Sequence, residues 1–232
     1  MQFLRPVRST VVKFVVPKTQ AIADAVFVPD LVAALVERYK FWDYPKNNAQ
    51  FTTEAKFVTG KFGKTNIEAF QIYGNGVSVQ AQAKTDELEE IALDFLEFAK
   101  SKFSLEYAFA EPLTTTFVSA VEVAVSPEVS SKFEILRPLG ERLSMMLAKN
   151  GYSVSTYEWA GISMLAEKAT PLSSGRFSFE VRAGHPLGGS VYFSEAPVST
   201  SDHLELLGLL EAILTTYDPP PSSQSPPGAR AS

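Results

Sequence analysis

Two stretches of this chain follow one pattern, and the repeat limits the available architectures more than any local feature does. Residues 67–97 run from an alternating segment, Ile67–Tyr73, through Gly74-Asn75-Gly76 into Val77–Ala81, and then into a segment opening at Thr85-Asp86-Glu87-Leu88. Residues 177–213 run from Phe177–Val181 through Gly184–Gly189 into Ser190–Phe193, and then into a segment opening at Ser201-Asp202-His203-Leu204. Period-2 alternation on both sides of a Gly/Asn or Gly/Pro turn reads as two antiparallel strands. The apolar spacing that follows each pair reads as a helix.

The flanking sequence extends the echo. Thr10–Val16 is rich in β-branched residues and stops at Pro17; Thr114–Val125 is a longer strand stopped by Pro127. Pro29 and Asp30 open a helix through Leu31, Val32, Leu35, Val36 and Tyr39. Lys56–Phe62 is a strand and residues 63–66 a turn. Asn75-Gly76 suits a hairpin needing positive φ. The helix over 85–103 is capped by Thr85 or Asp86, with Leu88, Ile91, Phe95, Phe98, Ala99 and Phe103 on one face.

In the second half a helix is expected within 128–149, with Leu136, Leu139, Leu143, Met146 and Leu147 on one side and a break or fresh start at Pro138. Strands follow near 155–167, 175–183 and 189–195. The last helix, 201–216, begins at Ser201 or Asp202. It is apolar on most sides, which implies deep burial or contact with another subunit.

Each half thus reads strand–helix–strand–strand–strand–helix, and the expected fold is α+β: a duplicated β-α-β-β-β-α unit with a mainly antiparallel sheet and helices on one face. The units are placed at 1–108 and 109–217, joined by pseudo-two-fold symmetry in one curved sheet or two adjacent sheets. In element order this outline resembles duplicated helix-grip or saddle-like folds of the TATA-binding-protein type, a likeness that carries no function. Residues 218–232, rich in proline and serine, are expected to be a disordered tail.

Composition narrows the chemistry. The chain has no cysteine, which removes disulfides, thiol nucleophiles and thiolate metal sites. Its formal net charge of −5 argues against a general nucleic-acid binder. Arg5, Arg8, Lys13 and Lys18 nevertheless make a basic start, read as a charged strand edge. With no signal-like N-terminus and no apolar run near the roughly 20 residues of a membrane span, a soluble cytoplasmic protein is expected.

No constellation points to catalysis, a cofactor or a metal. The two histidines, His185 and His203, lack a partner at ligand spacing. Gly63-Lys64-Thr65 ends like a phosphate-binding loop, but position 58 is Val58 where that loop needs glycine, and a strand follows instead of a helix. The Glu89/Glu90 pair lies on a solvated helix face.

The expectation is therefore a non-enzymatic binding or assembly module that engages a protein partner or a second copy of itself. The candidate surface is Tyr39, Trp42, Tyr44, Trp159, Leu206 and Leu210: aromatics at a helix end, which a core corner could equally claim, and leucines of the last helix. Two alternatives stand beside it. One is a carrier or sensor of a small apolar ligand, with Phe70, Ile72, Phe177, Phe179 and Trp159 lining a pocket. The other is a nucleic-acid-binding saddle that uses the basic first strand with Lys56, Lys61 and Lys64.

Overall fold

The structure is a computed structural model and describes residues 1–17, 27–46, 54–109, 115–150, 157, 159–165, 175–186 and 189–216. In chain order the elements are β1 (Gln2–Pro17), α1 (Val28–Tyr39), β2 (Glu54–Phe62), β3 (Thr65–Tyr73), β4 (Gly76–Ala81), α2 (Thr85–Phe103), β5 (Tyr107–Phe109) and β6 (Thr115–Ala124). There follow α3 (Pro127–Lys132), a 3-10 turn (Phe133–Leu136), α4 (Arg137–Lys149), β7 (Gly161–Met164), β8 (Phe177–Val181), β9 (Val191–Ala196) and α5 (Thr200–Thr216).

The fold is α+β, built on one nine-stranded sheet of order β2-β3-β4-β1-β6-β9-β8-β7, with β5 paired to the end of β1. The pairs are antiparallel, and the sheet is continuous across its centre, where β1 meets β6 from Gln2 opposite Ala124 to Lys13 opposite Thr115. The first strand is longer than its β-branched run suggests. It carries Pro6 in mid-sheet, and the β1–β6 register shifts on both sides of that residue, as expected where a proline offers no N–H to the ladder.

The apolar core divides at that central pair. One cluster joins Val11, Leu31, Leu35, Tyr39, Phe57, Phe70, Val79, Leu88, Ile91 and Phe95 beneath α1 and α2. The other joins Val121, Val123, Val129, Phe179, Tyr192 and Leu207 beneath α3 and α5. The five side chains read as a ligand pocket pack into these clusters: Phe70 and Ile72 in the first, Phe177 and Phe179 in the second with Trp159 against it.

Several expectations need correction. The loop between β3 and β4 is Gly74-Asn75, and neither residue, nor Gly76, has positive φ. Gly76 is required for space instead: a Cβ there would overlap the Lys13 carbonyl oxygen of the neighbouring strand. Positive φ occurs at Gly63, in the tight turn that replaces the supposed phosphate loop. Helix α2 begins after Lys84, whose own N–H donates to the Glu87 carboxylate, so Thr85 is free for another role. Ser199 caps α5, accepting the Asp202 N–H at 3.1 Å and donating to its carboxylate at 2.8 Å, a reciprocal capping pair.

Pro138 opens α4 as a fresh helix. The short β5 was not anticipated. The last helix is not deeply buried: only Thr200, His203 and Leu207 of α5 are enclosed. Among the described residues no helix is long and apolar enough to cross a membrane. The expected tail, 218–232, lies outside the described residues; of the expected strand at 155–167, residues 161–164 form β7, and 155, 156, 158, 166 and 167 lie outside the described residues.

Candidate interaction surface

The centre of the molecule is polar where the two apolar clusters meet. Ser9 of β1 stands opposite Ser119 of β6, and both are buried. Above them the first residues of α2 and α5 exchange hydrogen bonds: the Thr85 N–H donates to Thr200 Oγ1 at 3.0 Å, and the Thr200 N–H donates to Thr85 Oγ1 at 2.7 Å. Each helix start thereby satisfies one of the other's unpaired backbone donors.

His203, one turn into α5, has no exposed surface. Its Nε2 lies 2.9 Å from Ser194 Oγ and its Nδ1 3.1 Å from Ser119 Oγ, which is itself 3.2 Å from Thr200 Oγ1. Ser194 donates its proton to the Ser178 carbonyl at 2.7 Å, and Ser119 donates to Thr200 Oγ1. Burial, opposed only by a hydrogen bond to the Ser119 backbone, pushes the His203 pKa down to about 4. The Ser194–His203 contact has the length of a nucleophile–base pair. Both groups are sealed from solvent and each is bonded to neighbours that hold it in place, so the arrangement works as a structural seam.

A crevice of about 390 Å3 opens outside the seam, between the two helix starts, lined by Lys84, Thr85, Asp86, Glu89, Phe117, Ser199, Thr200, Ser201 and Leu204. Seven of these nine residues are polar or charged. None of the five side chains read as an apolar pocket lines it.

The basic residues of the first strand are held in ion pairs. Arg5 grips Glu122 with two N–H groups at 2.6 and 3.1 Å, and Arg182 reaches the same carboxylate at 2.7 Å. The Arg5 hydrogen bonds, with Arg182 adding to them, hold the Glu122 carboxyl below its usual range. Arg8 pairs with Glu68 at 3.7 Å, and Lys13 pairs with Glu89. These three cations are thus already paired with carboxylates, which lends no support to a phosphate-binding saddle; Lys18 lies outside the described residues.

The six candidate surface residues separate. Tyr39 is fully buried and donates to Asp94 Oδ2 at 2.6 Å, where Arg38 also binds with contacts of 2.9 and 2.5 Å. Burial and then this bond to a carboxylate push the Tyr39 hydroxyl far up. Burial alone would raise Asp94, but the hydrogen bonds from Arg38 and Tyr39 outweigh it and hold that carboxyl low. Tyr39 therefore offers nothing to a partner. Tyr44 is half-buried against the first cluster, and Trp159 stacks on Phe133 with ring centroids 3.7 Å apart. Trp42 is 84 % exposed although its backbone is tied to β2 by a 2.9 Å bond to Thr59. Leu206 is exposed on α5, and Leu210 is half-buried against the second cluster.

Further apolar exposure lies outside the candidate set, on α4. Helix α4 buries no residue completely. It leans on the chain through small residues: Gly140 leaves no room for a Cβ beside the Tyr157 carbonyl, and Ser144 Oγ accepts the Tyr157 N–H at 3.2 Å. On the face beside these, Leu139, Leu143 and Met146 are exposed, at i, i+4 and i+7, and they continue Leu136 of the preceding 3-10 turn. On α5 Leu206, Leu209 and Ile213 are exposed at i, i+3 and i+7. The sequence signal for this was a second stripe on the leucine-bearing helix, Gly140 and Ser144, which marks the side that meets the chain.

No group of three or more histidine, aspartate or glutamate side chains placed to hold a metal occurs among the described residues. Comparison of the chain with protein-family models and with curated proteins finds no match.

Proposed function

We propose that this chain is a non-enzymatic binding or assembly module whose second half presents an apolar helical surface to another protein. The observation that carries this reading is α4: a helix without a fully buried residue, with Leu139 69 % exposed and Met146 50 % exposed. Contiguous apolar exposure of this kind marks interaction sites in soluble proteins. Its spacing is that of a helix seam awaiting a partner helix.

The scaffold reading goes with it. We take the chain to be an internal duplication with units at 1–108 and 109–217. Support comes from the sheet order, in which β2-β3-β4-β1 and β7-β8-β9-β6 approach the centre from opposite edges in the same succession. The exchange between Thr85 and Thr200 supports it as well, because each residue opens the helix that follows its block's last hairpin strand. On this reading the first unit covers its sheet with well-buried helices and supplies stability, while the second exposes its helices and supplies the contact.

A photo-reactive phenylalanine analogue at position 139 or 209, with the full chain produced in cells, tests the reading. A discrete covalent adduct at both positions, absent with the analogue at exposed Lys64, is the expected result. No adduct at either position would overturn it.

A further inference from the structure

Resting on that reading, we infer that the occupant of the exposed helical surface is a second copy of this chain, with α4 of each protomer packed antiparallel against α5 of the other. The two stripes share one spacing and differ in charge. Along α4 stand Arg137, Arg142 and Lys149 against a single acid, Glu141. Along α5 stand Asp202, Glu205 and Glu211, and α5 has no lysine or arginine.

Some of these charges are already committed: Arg137 to Glu134 at 2.7 Å, and Glu211 to the chain's own N-terminus. Arg142, Lys149 and Glu205 have no ion-pair partner among the described residues and remain for an external one. A basic apolar stripe and an acidic apolar stripe on one chain are complementary to each other, and two copies related by a two-fold axis satisfy both contacts at once.

Antiparallel packing follows from the ends. It sets the C-terminal turn of α4, with Lys149, beside the N-terminal turn of α5, with Asp202 and Glu205, so opposite helix-dipole ends and opposite charges meet. In that register Leu139 and Leu143 lie against Ile213 and Leu209, and Lys149 lies beside Glu205 in flanking positions of the kind that set partner choice between paired helices.

The test uses the full chain in light scattering and sedimentation over a dilution series, with the cross-linking variants run alongside. The expected result is a closed dimer at about 100 μM, where a micromolar contact would be saturated. Lys149→Glu or Glu205→Lys alone should weaken it about tenfold, and the two together should restore it, because reversal of both charges keeps the pair. Leu139→Glu should leave a folded monomer by circular dichroism. Adducts at 139 and 209 should have twice the chain mass.

A strict monomer overturns the inference, as do growth beyond two copies and failure of the double reversal to recover what the single ones lose. If the chain is monomeric while both positions cross-link to a different protein, the second copy is wrong and the interaction surface stands. If neither position cross-links to anything, both fall.

Discussion

Thr85 and Thr200 each donate a backbone N–H to the other's hydroxyl across the middle of the molecule, at 3.0 and 2.7 Å, although 115 residues separate them. Two helices start at one buried point and each serves as part of the other's cap. The exchange ties the blocks together where the apolar clusters stop, and it explains why threonines stand at both positions.

Replacement of either threonine by valine keeps the shape and leaves a buried N–H without an acceptor. Thr85→Val should cost about 1–2 kcal/mol and Thr200→Val about 2–3 kcal/mol, because Thr200 Oγ1 also meets Ser119. The double variant should lose less than the sum. Urea denaturation measures all three; single losses below about 0.5 kcal/mol would show that the exchange contributes nothing.

His203 makes stability depend on pH in a defined window. Its pKa is about 4 in the folded chain against an ordinary 6.5, so between those values the unfolded state binds more protons than the folded one. Stability from this group is therefore complete above pH 6.5 and falls as the pH drops toward 4, by about 3 kcal/mol in total. Its ring meets Ser194, Ser119 and the edge of Phe177, and none of these carries a charge that could hold an imidazolium. His203→Leu with Ser194→Val should abolish the pH 4–6.5 slope, read as the difference in urea midpoint from the parent; an unchanged slope would place its origin elsewhere.

Asp94 accepts from both Arg38 and the buried Tyr39 hydroxyl, joining α1 to α2. Asp94→Ala strands the Tyr39 hydroxyl and should cost about 2 kcal/mol, whereas Tyr39→Phe should cost about 1 kcal/mol. The carboxyl is held below its usual range, so its contribution is present above the unfolded pKa and lost as the pH falls through the folded one. In Asp94→Ala, stability should therefore fall less than in the parent when the pH is lowered from 5 to 2. Equal falls in thermal midpoint would count against the pairing.

Gly76 lies against the Lys13 carbonyl of the adjacent strand, where no Cβ fits. Gly76→Ala should push β4 from β1 and cost about 1–3 kcal/mol. Gly74→Ala, two residues away in open space, should change stability by less than about 0.5 kcal/mol. Similar thermal shifts for the two would refute the steric account.

Much of the scaffold could be read from the chain alone, because the evidence for it is local. The 3.6-residue recurrence of Leu88, Ile91, Phe95 and Ala99 places α2 at 85–103, where it lies. Alternation in 67–73 and 177–181 places β3 and β8, and Pro138 marks the start of α4 because its ring cannot continue the preceding turn. What could not be read depends on which surfaces meet. Leucine content left α5 either deeply buried or in contact with another subunit, and it grouped the apolar residues of α4 on one side without saying what that side meets; deep burial of α5 is not what the structure shows. Apolar spacing identifies a face without saying what covers it.

The aromatic run at residues 39–44 shows the same boundary. Composition could not separate Tyr39, enclosed with its hydroxyl on Asp94, from Trp42, 84 % exposed three residues later. The sequence by itself determined the order and type of most elements, β5 apart, and excluded cysteine chemistry, since periodicity, turn residues and composition act over a few neighbours. Tertiary structure alone decided that β1 joins β6 in one sheet and that Thr85, Thr200, Ser119, Ser194 and His203 share a polar seam. It also decided that the leucines of α4 face water. Each of these is a long-range relation, set by which buried donors find acceptors and which apolar faces find cover once the whole chain has packed.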